Sequence, residues 1–405
     1  MSPLLIALFF SLTHICYAFP DATRTDALRW VRQEVQSSSG WVRVSEASQE
    51  GYVYDNCLAV LSFLQAAESG DTVALGDARK ILAFLEDHAV TDGLASYWLD
   101  KVGADGASLP QVAVSSGNQA WALYTLARFM RATGETHYLA LARSAARWLM
   151  DERRLDAADG GIRGGLNSNG TDRPWTATEH NVIAYFAFKE LFAVDPVAAY
   201  HEVSEGCADW LITRGWNPEK RYFNRGEGDS VLSLDAQTGG ILFLLDRGLD
   251  LEAWSAGAVV VKRLLNRIWI REGRRQESYL GTEFEDGDGS LWWEGAAQAS
   301  LSFDRLSVRL RERWDSNPVP SEKSTLRASE LFKKMVEDLR GNLLKSDDPS
   351  TVGRDNDGDG GYQYALEQGS NVGLGTGEQP SPGLWLIFSI GEHEGDVTPL
   401  YGEMP

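Results

Sequence analysis

Cysteine is scarce in this chain, with three among 405 residues. Cys16 lies in the apolar N-terminal segment, which leaves Cys57 and Cys207, both within predicted helices. Two cysteines in a chain of this length cannot build the disulfide framework that stabilises small secreted domains. They either pair with each other or pack as small apolar side chains, so the fold must depend on a hydrophobic core.

Histidine and basic residues are also in short supply. The six histidines are scattered, and neither HExxH nor CxxC occurs, so the sequence offers no transition-metal site of the usual spacing. Lys and Arg number 38 against 58 Asp and Glu, for a formal charge of −20. Such an acidic chain repels nucleic acid and anionic membranes, and we expect it to bind neither.

Long apolar runs are missing as well, since no stretch approaches the ~20 residues of a membrane span. The short apolar run of residues 4–15 precedes Cys16-Tyr17-Ala18, a small-x-small cleavage pattern ahead of Phe19. We therefore predict a signal peptide at residues 1–18 and a secreted, monomeric protein. The rest, residues 19–405, is predicted to form a single domain.

Aromatic residues are abundant, with 14 Trp and 13 Tyr. Many fall in predicted loops, where their flat faces suit sugar rings but could equally anchor the loops to the core. These loop aromatics are Trp41, Trp98, Trp175, Trp216, Trp292, Trp293 and Tyr362.

One design recurs along the chain: a polar residue at a helix start, followed by a helix that is apolar on nearly all sides. Successive polar positions are 63, 61, 56, 59 and 87 residues apart. They are Asp55, Asn118, Glu179, Asp235, Glu294 and Ser381. A period near 60 that recurs this often indicates a repeat architecture.

Amphipathic helices alternate with these apolar ones and show the helical period of about 3.6. They are predicted at residues 24–35, 76–88, 138–152, 197–213, 251–270 and 326–343. Six such pairs predict an all-α (α/α)6 toroid, with apolar helices as the inner ring and amphipathic helices as the outer ring. Short β-hairpins are expected near residues 160–176 and 221–231.

If neighbouring helices are antiparallel, all inner helices start at one end, and their polar first turns form one mouth. Paired carboxyl groups in an aromatic pocket are what glycosidic bond cleavage requires. We take Glu179, Glu294, Asp235 and Asp55 as catalytic candidates; taken singly, each could instead be an ordinary helix cap. The candidate substrate-binding residues are Asn118, His180, Gln237, Trp175, Trp292, Trp293, Tyr54 and Tyr362.

Several of these segments resemble the six-hairpin glycosidase superfamily. They are GNQAW with the following TGETHYLALARSAARWL helix, TEHN, QTGG and WWEGAAQASL, and they resemble most closely the exported members with YDN, TEHN and WEG signatures. The resemblance covers approximately residues 24–390. It implies the toroid fold and carbohydrate-active chemistry at the inner-helix mouth, with a carbohydrate as the binding partner.

Other functions are compatible with the same fold, because a fold does not fix a reaction. A polysaccharide lyase usually needs a Tyr/His or Arg-rich cleft to manage substrate carboxylates, whereas the predicted mouth is acidic. A terpene cyclase would need a mostly apolar cavity. A non-catalytic glycan-binding or scaffold protein stays open as an alternative to a glycoside hydrolase.

The last hairpin carries a long acidic, Gly-rich insertion at residues 344–380. Within it Asp355, Asp357 and Asp359 have the D-x-D-x-D-G spacing of a calcium loop, in which alternating carboxylates converge on one cation. The twelfth position, where an EF-hand needs Glu, is Leu366. The loop is therefore either a structural calcium site of another kind, a solvated turn, or a flap over the mouth. No other cofactor is expected.

Overall fold

The computed structural model describes residues 21–401, apart from residues 104, 108, 111, 154–158, 273, 317–322, 348–360, 364, 366–377 and 395–397. The expected signal segment and the aspartates Asp355, Asp357 and Asp359 lie outside the described residues, so export and calcium binding stay predictions. Within the described part, no group of three or more His, Cys, Asp and Glu side chains could hold a metal ion. None of the described helices combines the length and hydropathy needed to cross a membrane.

Twelve α-helices alternate between two rings in the described residues. The outer ones are α1 (Asp21–Trp30), α3 (Ala74–Asp87), α5 (Leu139–Arg147), α7 (Ala198–Trp210), α9 (Asp250–Arg263) and α11 (Lys323–Ser346). The inner ones are α2 (Val53–Glu68), α4 (Ser116–Thr133), α6 (Thr178–Val194), α8 (Leu234–Asp246), α10 (Trp293–Ser316) and α12 (Pro380–Glu394). Turns of π-helix extend α1, α5 and α7, at Val31–Val35, Trp148–Arg153 and Leu211–Gly215.

The inner ring holds the core. Every residue of α6 from 180 to 188 is buried, whereas α3 buries one face and exposes the other. Each fully buried Leu or Phe contributes about 1.5–3 kcal/mol to folding, which is what holds a disulfide-free chain of this size together. Each inner helix packs against the next one, and α12 packs back against α2. The ring is therefore closed, and the predicted (α/α)6 toroid is confirmed.

The far end of the barrel is filled by residues 398–401. The Thr398 amide donates to Glu68 Oε2 at 2.7 Å, at the C-terminal end of α2. Leu400 is buried, and the ring of Tyr401 lies 4.6 Å from that of Phe186 on α6. This segment gives the barrel a floor, so the interior opens mainly toward the N-terminal ends of the inner helices.

Four buried carboxamides clamp the loops that lead into the inner helices. In each case the side-chain oxygen accepts the N–H, and the side-chain nitrogen donates to the C=O, of one loop residue. The pairs are Asn56 with Val42, Gln119 with Trp98, Asn181 with Ile162, and Gln237 with Phe223. These clamps satisfy buried backbone groups and fix the loops that surround the mouth.

The strands form small antiparallel sheets. They are β1 (Glu50–Tyr52) with β4 (Lys101–Gly103), β2 (Val90–Asp92) with β3 (Ala95–Tyr97), β5 (Val114–Ser115) with β6 (Gly165–Leu166) and β7 (Asp172–Arg173), β8 (Trp216–Asn217) with β9 (Tyr222–Phe223), β10 (Leu265–Glu272) with β11 (Arg275–Thr282), and β12 (Tyr362–Gln363) with β13 (Glu378–Gln379). The hairpin expected within residues 160–176 is present as β6 and β7. The one expected at 221–231 is paired a few residues earlier, as β8 and β9.

The helix predicted over residues 251–270 was too long. It ends at Arg263, and the chain continues as β10, which pairs along its whole length with β11. Ile268 and Ile270 are β-branched and flank Trp269, a composition that favours a strand once a partner strand lies beside it. Pairing with the long strand at residues 275–282 therefore determines the structure here, although the sequence has a helical period.

Cys57 and Cys207 are buried and form no disulfide, so they pack as small apolar side chains.

Candidate active site

The first turns of the six inner helices surround one cavity of about 570 Å³. Six predicted ring positions, one from each inner helix, line it together. They are Asp55, Asn118, Glu179, Asp235, Glu294 and Ser381. Residues up to 326 positions apart in the sequence thus meet because the helices that carry them start at the same end.

Glu294 is the most firmly held carboxylate of the cavity. It is 3% exposed and accepts hydrogen bonds from Tyr54 Oη at 2.6 Å, Gln298 Nε2 at 3.0 Å and Ser381 Oγ at 3.0 Å. The Tyr54 hydroxyl is held in turn by Trp385 Nε1 at 2.7 Å. Three donors around one carboxyl group suit its ionised form and fix its orientation.

Asp55 lies near Glu294 and is 4% exposed. Burial, together with the negative charge of Glu294, raises the pKa of the Asp55 carboxyl well above its ordinary value. The same two causes, burial first, raise the pKa of Tyr54 well above 10.0. Burial and the neighbouring charge thus favour the protonated form of Asp55, which lines the cavity.

Glu179 and Asp235 form a second carboxyl pair. Burial and then the charge and hydrogen bond of Glu179 raise the pKa of Asp235 well above 3.8, while the Ala236 amide donates to Asp235 Oδ1 at 2.7 Å. Glu179 is 46% exposed and reaches solvent. α8 packs between α6 and α10, so Asp235 lies on the helix next to that of Glu294, whereas α2, which carries Asp55, lies opposite α8 in the ring. Both carboxyl pairs line the same cavity.

Asn118 lies on α4, between α2 and α6, and His180 follows Glu179 at the start of α6. His180 is 6% exposed, and burial lowers its pKa to about 4, so the imidazole is neutral at neutral pH. Its Nε2 lies 3.4 Å from Glu179 Oε1 and 3.3 Å from Ser115 Oγ. Asn118 donates to Asp100 Oδ1 at 2.9 Å, and Asp100 is a site neighbour that no sequence repeat indicated.

Aromatic rings form the walls and floor of the cavity. Trp121 packs edge-on against Tyr54 at 5.6 Å and against Trp385 at 6.0 Å, and Tyr401 lies beneath at 6.1 Å from Trp121. Trp292 and Phe284 line the side near α10. Sequence reasoning missed Trp121 and Trp385, although each follows a ring residue by three or four positions and so shares its helix face.

Five predicted substrate-binding residues lie outside this cavity. Trp175 and His180 line an adjoining hollow of about 460 Å³. Trp293 is fully buried against Tyr279, and Tyr362 is buried on β12 against α12. Gln237 is fully buried as a loop clamp, so Gln237, Trp293 and Tyr362 do not line the cavity that the described residues form. Neighbouring residues of a helix start point in different directions, and the repeat does not say which one faces inward.

The role of Gln237 as a loop clamp predicts how its replacement affects stability and sugar binding. Gln237→Leu leaves the Phe223 N–H and C=O buried without partners, so we expect a loss of about 1–3 kcal/mol in the free energy of unfolding. Because the side chain does not line the cavity, the affinity for sugars should stay within about twofold of wild type. Urea denaturation and a binding titration measure the two quantities. A large loss of affinity at unchanged stability would restore Gln237 to the binding site.

A second prediction concerns the effect of Asp55 on stability at different pH values. Because its pKa is raised in the folded state, folding takes up a proton, and the stability it contributes declines as pH rises above its ordinary pKa of 3.8. Asp55→Asn removes this cost, so we expect a gain of about 1 kcal/mol at neutral pH and a smaller gain at acid pH. Denaturation at the two pH values tests this. Asp246→Asn is the control: Asp246 pairs with Lys189 at 2.6 Å, and its loss should destabilise the protein.

Comparisons with known proteins agree on the architecture. No protein-family model and no curated protein matches the chain. Among solved structures, cellobiose 2-epimerase from Bacillus thermoamylovorans superposes with a TM-score of 0.65 at 12% identity, covering 91% of this chain and 98% of that one. D-Mannose isomerase gives 0.66 at 9% identity, covering 95% and 100%. A glycosidase variant in complex with glucose gives 0.59 at 12% identity, covering 93% and 97%.

Because these sequence identities are low, the comparisons establish the fold only. The reaction has to be inferred from the geometry of the site. The matched proteins are carbohydrate-processing enzymes, and the match extends over nearly the whole of each chain. The chain therefore shares the (α/α)6 toroid fold of these proteins.

Proposed function

We propose that this protein is a glycoside hydrolase that cleaves an oligo- or polysaccharide in the cavity at the inner-helix mouth. The observation that supports it is that two carboxyl pairs line one aromatic cavity. Each pair combines a carboxyl group of raised pKa with a second carboxylate: Asp235 with Glu179, and Asp55 with Glu294. Glycosidic cleavage needs one protonated acid and one ionised carboxylate.

In the proposed reaction Asp235 is the general acid. It donates its proton to the glycosidic oxygen as the bond from that oxygen to the anomeric carbon breaks. Glu294, on the neighbouring helix α10, either takes a proton from the attacking water or attacks the anomeric carbon itself. In the second case water then hydrolyses the bond between Glu294 and the sugar. Either course adds one water to the products in total. Glu179, which reaches solvent, returns a proton to Asp235.

Other residues position these groups. Tyr54, Gln298 and Ser381 hold Glu294 in one orientation, which limits the reorganisation that the reaction requires. Asp55 lines the cavity, and its protonated form would donate to a hydroxyl or ring oxygen of the sugar. The rings of Trp121 and Trp385 supply apolar faces for the sugar and exclude water.

A sugar epimerase or isomerase is the second candidate, because a cellobiose 2-epimerase and a mannose isomerase share the fold. Such reactions change the configuration or carbonyl position of a sugar without shortening it. The four acids and the absence of histidine among the described residues that line the main cavity favour hydrolysis, which needs an acid more than a neutral imidazole base.

A panel of neutral and acidic glycans with reducing-end detection tests the proposal. Wild type should release new reducing ends from at least one glycan, and Glu179→Gln and Glu294→Gln should be strongly impaired on it. Products of unchanged length but altered configuration would favour the epimerase. Unsaturated products that absorb ultraviolet light would identify a lyase. Binding of a glycan without any turnover would identify a scaffold protein.

Export is part of the proposal and rests on the signal pattern at residues 1–18. The mature protein recovered outside expressing cells should begin at Phe19. Retention of residues 1–18 on the recovered protein would show that they are not a cleaved signal peptide, and it would not affect the catalytic proposal.

A further inference from the structure

The hollow beside the main cavity is built by two loops that lead into inner helices. One precedes α6 and contributes residues 175–177; the other precedes α8 and contributes Arg225, Gly226, Glu227 and Asp229. Ala177 bridges to Gly226, and the Thr178 amide donates to the Arg225 carbonyl at 2.8 Å. A Cβ on Gly226 would lie 2.2 Å from the Thr176 carbonyl oxygen, so the loops approach closely only because this residue is glycine. The hollow is thus preformed.

Glu179 and Asp235 line both the hollow and the main cavity. They therefore stand at the boundary between two spaces of about 460 and 570 Å³, each within the size range of small-ligand sites. A glycosidic bond placed at this carboxyl pair puts one sugar unit in the main cavity and the next unit in the hollow.

Trp175 offers the hollow a fixed aromatic face. Its side chain belongs to the few large apolar ones that stay exposed, at 47%. One side of the indole packs on Gly164, where a Cβ would meet the ring at 2.6 Å, and the Arg173 guanidinium lies 5.9 Å from the ring centre. A rigid, half-exposed indole is a low-entropy platform for a flat apolar surface such as a sugar face.

The charges around the hollow indicate which sugars fit. Four carboxyl groups line it, those of Glu179, Glu227, Asp229 and Asp235. The Arg225 guanidinium is already paired with Asp229 and Glu285. Glu227 is paired with Arg214 at 3.1 Å, so Glu179, 46% exposed, is the carboxylate of the hollow that no described arginine neutralises. Its negative charge disfavours uronic acids and sulfated sugars, whereas neutral sugars can donate hydroxyl hydrogen bonds to it.

We propose that this hollow is a second sugar-binding subsite with Trp175 as its platform, and that the substrate is a neutral glycan of two or more units that spans the Glu179–Asp235 pair. The position of the cleaved bond rests on the proposed function. The subsite itself is a binding property and holds or fails separately from catalysis.

Calorimetric titration of the Glu294→Gln protein separates sugar binding from catalysis, because this variant should bind sugars without cleaving them. The probes are glucose, cellobiose, cellotriose, maltose, maltotriose, mannose, mannobiose and an oligogalacturonate. We expect one neutral series to bind, with the di- or trisaccharide at least tenfold tighter than the monosaccharide, and no binding of the oligogalacturonate.

Adding Trp175→Ala should weaken binding of the di- or trisaccharide about tenfold, since loss of one stacking contact costs about 1–3 kcal/mol. Monosaccharide affinity should not change. Trp269→Ala is the matched control, because Trp269 is 63% exposed on β10 and lines neither space. Equal affinity for short and long sugars, an unchanged affinity in Trp175→Ala, preference for the oligogalacturonate, or no binding of any probe would each overturn the subsite. Length-dependent binding without hydrolysis by wild type would uphold the subsite and reject the hydrolase.

Discussion

Replacing Glu294 with glutamine should lower kcat on the glycan substrate by about 10³-fold, while the free energy of unfolding changes little. Glutamine keeps the shape of the side chain but cannot carry the negative charge that the reaction needs, and general acid–base groups of this kind contribute 10²–10⁴-fold. Steady-state kinetics with reducing-end detection measures the loss. KM should stay within a few-fold, because the aromatic walls that bind the sugar are untouched.

The control for this variant is Glu190→Gln, at a buried carboxylate on an inner helix that lies outside the cavity. Glu190 is 5% exposed and lies 3.0 Å from Arg131 Nη1. Its replacement should reduce stability, because it leaves buried Arg128 without its partner. Below its lowered melting temperature, this variant should keep a wild-type kcat. If both variants lost activity in proportion to stability, Glu294 would be a structural residue only.

The pH profile of Glu179→Gln should have its alkaline limb at lower pH than that of wild type. Asp235 must be protonated to act as the acid, so activity falls as pH rises through its pKa. Burial raises that pKa most, and the negative charge of Glu179 raises it further. Removing this charge lets the Asp235 pKa fall, so the proton is lost at lower pH. Measurement of kcat/KM from acidic to alkaline pH shows the displacement.

Two further variants separate this effect from a general loss of activity. Glu205→Gln removes an exposed acid on α7, paired with Arg247, and should leave the profile in place. Asp235→Asn should abolish the alkaline limb together with most of the activity. An alkaline limb that stays at the wild-type pH in Glu179→Gln would mean that Asp235 is not the acid, and Asp55 would then be the next candidate.

The sequence predicted the ring because its evidence was periodic. A polar residue at the start of an apolar helix, repeated near every 60 residues, is sufficient to bring Asp55, Glu179, Asp235 and Glu294 to one cavity. The period reports which residues share an end of the barrel. It does not report how they pair, because the pairs depend on side-chain direction and on the order of the helices around the ring.

Single residues at helix starts were harder to predict. Trp292 lines the cavity while its neighbour Trp293 is buried, although both belong to the same WWEG segment. Gln237 follows Asp235 by two positions and faces away from the mouth to clamp Phe223. The rotation of each helix start is set by such tertiary contacts, which local sequence does not encode. The β10–β11 hairpin was missed for the same reason. Residues 265–270 have a helical period, but they form a strand because they pair with β11.

A time course of the products by proton NMR tests most directly whether the protein is a glycoside hydrolase. Wild type is incubated with the neutral disaccharide that binds best in the titration above, and its anomeric signals are followed. We expect the signal of the glycosidic linkage to disappear and equal amounts of the two monosaccharide units to appear, with Glu294→Gln at least about 10³-fold slower. A disaccharide that keeps its linkage and changes configuration only at the reducing end would contradict hydrolysis.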